Sequence, residues 1–141
     1  MKTIAQDVAL ILTNQRNHRP TNIYSDAMCH LCWIIYRRHK VLFDTMICEP
    51  SQFEHVLKEL FLDNVISWER IASMYVFAGL MINHYGNEND ISNELNAFVE
   101  KYLNAWICNE GGWDSFANRY RRHSKWLCVF HVVMLVVNAL K

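Results

Sequence analysis

The chain has 141 residues, 52% of them hydrophobic, and its 14 basic and 14 acidic side chains balance to a formal charge of zero. That length suits a single domain spanning 1–141 that buries roughly two thirds of its unfolded surface, and only four glycines and two prolines exclude a disordered or fibrous polymer. Neutrality excludes broad electrostatic binding to nucleic acid, and five cysteines, odd in number and sparse, suit a reducing interior better than a disulfide scaffold.

Ile4, Val8, Ile11 and Leu12 recur at helical spacing, with Gln6, Asp7, Thr13 and Asn14 on other faces, so the chain is predicted to start with an amphipathic helix ending near Asn17. Lys2 to Arg16 lacks the apolar core and cleavage site of a secretion signal, so none is expected. A short link holding Pro20 leads to a second helix over 22–40, with Ile23, Ala27, Met28, Leu31, Ile34 and Ile35 on its apolar face. Its basic end, Arg37-Arg38-His39-Lys40, complements the negative helix C-terminus. Within it lies Cys29-His30-Leu31-Cys32. A zinc or redox site would need a second such pair or paired histidines, whereas Cys48, Cys108 and Cys128 are scattered; buried free thiols are the ordinary interpretation, and no metal or cofactor is expected.

Pro50 interrupts any helix through 49, and Ser51 is placed to start the next, with Phe53, Val56, Leu57, Leu60 and Phe61 as its apolar face. Ser67 is a good N-cap, and Glu69 suits the positive end of a helix that follows. From Ile71 to Ile82 only Ser73 carries a short polar group, so this helix is apolar on every face and is predicted to be the centre of a bundle. Arg70, a cation in its first turn, opposes the helix dipole and wants an anion: Asp63, Glu69, or a carboxylate brought by another molecule. Residues 83–90, with Gly86, read as a loop, and Ser92 is the expected cap of a helix through Leu95, Phe98, Val99, Tyr102, Leu103 and Trp106. Gly111 can stop that helix, Gly112 lets the chain turn tightly, and Trp113 is then set down on the bundle. The basic cluster Arg119, Arg121, Arg122, His123, Lys125 reads as a solvated helix end, with contact to an anionic membrane the alternative. Trp126 to Leu140 is about 15 residues long and interrupted by His131 and Asn138, so a folded final helix is preferred over a membrane-spanning anchor.

Phe61-x-Asp63, Ser67-Trp68-Glu69-Arg70 and Ala78-Gly79 resemble the first homology motif of the Bcl-2 family of apoptosis regulators, where Asn-Trp-Gly-Arg is usual. Trp106, Gly111-Gly112-Trp113, Asp114 and Phe116 resemble its second motif, in the family's order. The resemblance implies an all-α, Bcl-2-like bundle of about seven to eight helices around a central hydrophobic helix, with a surface hydrophobic groove. It also implies that His39, Phe43, Met46, Val56, Leu57 and Leu60 line that groove, with Ser73 and Phe77 on its floor; each taken alone reads better as core. By the same resemblance Arg70 receives a ligand carboxylate, and Glu69, in place of the usual Gly, narrows the set of ligands. The family's death motif, Leu-x-x-x-Gly-Asp, overlays only on Met28-x-x-x-Cys32-Trp33, which lacks both Gly and Asp, so this helix is not expected to be donated to a partner.

The function so implied is inhibition of cell death by sequestering the death-motif helix of pro-apoptotic family members in a groove. Short length, a short first link and divergent motif residues suggest a viral survival protein acting in the cytoplasm of a host cell or at the mitochondrial outer membrane surface. The alternative is a pore-forming effector of the same family. An exposed apolar groove also invites a homodimer that covers part of it. No P-loop, nucleophile elbow or HExxH appears, so an enzyme is not expected.

Overall fold

The computed structural model describes residues 3–13 and 18–121; the predicted final helix over 126–140 lies outside them, as do the residues around the expected end of the first helix. Helix α1, Ile4–Leu12, starts at a capping box in which Thr3 Oγ1 accepts from the Gln6 amide and Gln6 Oε1 accepts from the Thr3 amide. It buries Ala5, Val8, Ala9 and Leu12. Asp7, predicted on a polar face, is instead wholly buried: His18 Nε2 lies 2.8 Å from Oδ1 and the Thr21 amide donates to Oδ2 at 3.0 Å. A carboxylate can be buried when its oxygens are so bonded, and here it ties the chain after α1 back onto that helix.

Helix α2, Ile23–Arg38, is capped by Asn22, whose Oδ1 accepts from the Tyr24 and Ser25 amides. It breaks at His39, and α3 follows over Lys40–Thr45. A 3-10 turn, Pro50–Gln52, leads into α4, Phe53–Leu60, two residues beyond the expected start at Ser51; proline suits a first helical position because its missing N–H would be unpaired there anyway.

Helix α5, Trp68–Tyr85, is the predicted central helix. Ser67 Oγ accepts from the Arg70 amide, and Gly86, at φ +71°, ends it in the left-handed conformation. Ile71, Ala72, Met74 and the run Tyr75 to Ile82 are buried, so α5 is enclosed on all sides except near Ser73 and its polar ends. Gly79 sets the approach of α1: a methyl group there would sit 3.1–3.2 Å from Leu12 Cδ1, the Ala9 amide nitrogen and Val8 Cγ1. Asn83 Nδ2 then donates to the Ala9 carbonyl at 2.9 Å, binding the two helices side by side.

Helix α6, Glu88–Phe98, begins before the expected Ser92. Ser92 is not its cap but a buried residue inside it, with its hydroxyl 3.0 Å from that of Thr3. A π-helical turn, Val99–Leu103, joins α6 to α7, Asn104–Asn109. Its cause is visible in the buried positions, Ile91, Leu95, Phe98, Leu103 and Ile107: the step from Phe98 to Leu103 is too long for one α-helical stripe and fits the wider π turn. This is why Tyr102, placed on the apolar face by three-and-four spacing, is exposed instead.

Helix α8, Gly112–Tyr120, packs on α2, and Tyr24 Oη donates to Asp114 across that contact. Gly111 and Gly112 both have positive φ, +97° and +75°, and a methyl group on Gly111 would lie 2.8 Å from Ser115 Cβ, whereas Gly112 faces open space. Gly111→Ala should therefore cost about 2 kcal/mol of stability and Gly112→Ala about 1; equal melting shifts for the two would show that contact with Ser115 is irrelevant.

Candidate functional site

The two motifs expected to carry function meet in space. The Trp68 ring, at the first residue of α5, lies 5.1 Å from Trp106, 5.6 Å from Trp113 and 4.5 Å from Phe116 between ring centres. Trp113 also packs edge-on to Tyr75, and Phe116 packs on Tyr120. One aromatic cluster thus fixes the N-terminus of α5 against α7 and α8, which is the physical reason for tryptophans at these positions.

From that fixed end projects Arg70. Its guanidinium grips Asp63 with both nitrogens, Nη2 to Oδ2 at 2.9 Å and Nη1 to Oδ1, and Nη1 also reaches the Leu60 carbonyl at 3.3 Å. Of the two anions the chain itself offers Arg70, Asp63 is the one it pairs with. Arg70 Nη1 and the Val65 amide both donate to Asp63 Oδ1, and these bonds, Arg70's foremost, hold the carboxyl below the usual carboxylate range. The loop bearing it turns through Asn64 at φ +61° and exposes Leu62 and Val65. Glu69 does not bond to Arg70: its Oε1 accepts from Tyr120 Oη at 3.2 Å, which draws it toward α8. Burial, and then this carboxylate, push the Tyr120 hydroxyl pKa up. Ser73 Oγ donates to the Glu69 carbonyl at 2.9 Å, so its polar group is satisfied within α5.

The residues expected to line a groove divide by burial. Met46, Val56 and Leu60 are half-buried and Phe43 is nearly enclosed, its ring 6.3 Å from Tyr36. Leu57 and Phe77 have no exposed surface, Phe77 because Phe53 stacks on it at 5.3 Å. They support α4 on α5 from beneath and offer a ligand nothing to touch in this arrangement. His39 is exposed in an open depression shared with Arg37, Arg38, Lys40, Val41, Leu42 and Thr45. Gly79 lies against α1, and Gly111 and Gly112 form the turn into α8. Val41 and Leu42 escaped the sequence reading, though a signal existed: a helix as short as α3 can bury only one face of Val41-Leu42-Phe43. The Glu69 to Tyr120 contact had no local signal, since the partners lie on different helices.

Cys29 and Cys32 are buried, and Cys32 Sγ donates to the Ala72 carbonyl at 3.4 Å. Burial pushes both thiols well above the ordinary range, so neither is a thiolate near neutrality. Among the described residues no group of three or more His, Cys, Asp or Glu side chains is placed to hold a metal ion, and no helix is long and apolar enough to cross a membrane.

Residues 28–113 match the family described as apoptosis regulator proteins, Bcl-2 family. The chain is 24% identical over 102 residues to Bcl-2-related protein A1 of Bos taurus, an alignment covering 64% of this chain and 58% of that protein. To apoptosis regulator Bcl-2 of Gallus gallus it is 32% identical over 76 residues, covering 50% of this chain and 32% of that protein. The matched stretch thus spans from about a third to under two thirds of these relatives' length. Among solved structures, the zebrafish pro-survival protein NRZ in its complex with Bad BH3 superposes with a TM-score of 0.69 at 19% identity, over 84% of this chain and 90% of that chain, which shows a shared fold.

Proposed function

The chain belongs to the Bcl-2 family of apoptosis regulators, and from that premise we propose that it blocks cell death by sequestering the death-motif helix of pro-apoptotic family members. The observation that carries this is Arg70: a half-exposed guanidinium at the start of the central helix, already holding a carboxylate in the two-pronged geometry a ligand aspartate would use. Half-buried Met46, Val56 and Leu60 supply apolar surface for a ligand's hydrophobic residues at helical spacing. Met28 and Cys32, the best overlay of a death motif, are wholly buried in α2, which supports the chain as receiver of such a helix rather than donor. The short link after α1 and the Ser67 and Glu69 departures support a viral survival protein; its place of action in this reading is a host cell's cytoplasm or the mitochondrial outer membrane surface.

Calorimetric titration of the protein with a panel of death-motif peptides, with light scattering for mass, tests this. Binding to at least one peptide is expected, and is lost when the peptide's aspartate becomes asparagine; silence across the panel, or dye release from liposomes after peptide addition, overturns it in favour of a scaffold or a pore-forming effector. Glu69→Gln should tighten acidic peptides by about threefold, because it removes a negative charge beside the carboxylate receptor. Unchanged affinities across the panel would discard Glu69 as a selectivity residue.

A further inference from the structure

The elbow between α2 and α3 is the most concentrated basic surface among the described residues, and it is apolar at the same point. Arg37, Arg38, His39 and Lys40 are consecutive and exposed, and Val41 and Leu42 follow them with 79% and 62% of their surface open to solvent. We propose that this elbow binds the surface of an anionic lipid bilayer.

The charge is only slightly offset locally. Lys40 Nζ pairs with Asp44 Oδ2 at 2.9 Å, and Tyr36 Oη donates to the other oxygen of the same carboxylate. Arg37 lies over the Trp33 ring at 5.8 Å and Lys40 over the Tyr36 ring at 5.9 Å, so aromatic faces prop both cations at the surface. The chain as a whole is neutral, with Glu88, Asp90 and Glu94 on α6, so the attraction is local and orients the molecule. The depression at the elbow is open rather than enclosed, a shape suited to a broad flat partner more than to one inserted side chain. A bilayer satisfies both chemistries together: anionic headgroups meet the guanidinium and ammonium groups, and the two aliphatic side chains enter the boundary beneath.

The test is co-sedimentation of the full chain with phosphatidylcholine vesicles, with and without roughly one third phosphatidylserine. Binding is expected only where phosphatidylserine is present, weakening as salt rises. Arg37→Glu with Arg38→Glu should lower it by about tenfold or more, and Val41→Ser with Leu42→Ser by a few-fold, with melting temperature unchanged in both. Binding equal on neutral vesicles, no binding at all, binding kept in both elbow variants, or loss confined to Arg119→Glu with Arg121→Glu would overturn the proposal. So would a Val41/Leu42 variant that keeps vesicle binding but loses death-motif peptide binding, because the aliphatic pair would then belong to a peptide surface.

Discussion

Trp68→Ala should lower the unfolding free energy by about 3–5 kcal/mol, measured by denaturant titration. The indole is 6% exposed and touches Trp106, Trp113 and Phe116, so truncation opens a cavity bordered by three helices that cannot all close on it. Trp68→Phe keeps part of the ring packing and should cost less than half as much. A loss under about 1 kcal/mol for the alanine variant would mean the cluster is not the joint between the two motifs.

Arg70→Glu should weaken death-motif peptides by about a hundredfold, roughly 3 kcal/mol, because a carboxylate then faces both Asp63 and the peptide's aspartate. A peptide with that aspartate changed to arginine should regain most of the loss, an outcome that mere misfolding would not give. Asp63→Ala should act oppositely and tighten binding by about threefold: under the proposed function a ligand carboxylate has to take the place of Asp63 on Arg70, and the variant removes that exchange. The sign with pH follows. Because the folded Asp63 carboxyl sits below its unfolded value, the pair's contribution to stability is full above the ordinary carboxylate range and disappears only as pH falls through the lowered folded value. At neutral pH a ligand therefore meets an ionised competitor. If Asp63→Ala leaves peptide affinity unchanged, that competition does not occur.

The central helix was legible in the sequence because Ile71 to Ile82 leaves no polar face, and its start because Ser67 and Glu69 are cap residues. The aromatic joint was legible only as two separate motifs; that Trp68 touches Trp106 and Trp113 depends on how α7 and α8 return to α5, which local patterning does not encode. The burial of Asp7 is not legible locally, because a short acidic residue on a helix is usually solvated and its partner His18 lies beyond the helix end. Among the expected groove residues, hydrophobicity marked Leu57 and Phe77 as readily as Met46 and Val56. What separates them is whether protein or solvent lies above, as Phe53 does over Phe77, a property of packing rather than of residue type.

The wide turn at Val99–Leu103 works as a phase shifter between two rigid rods. Each residue of an α-helix advances the side-chain direction by about 100°, so forcing the turn into α geometry at its present length would swing everything beyond it by roughly that angle, whereas removing one residue would shorten the Phe98-to-Leu103 step to four and keep the faces in phase. In the first case Ile107 would leave the core and Trp106 would face away from Trp68; in the second both would stay. The joint beside Arg70 thus depends on matching the turn's hydrogen-bond pattern to its length, and that match is the property to preserve in any redesign.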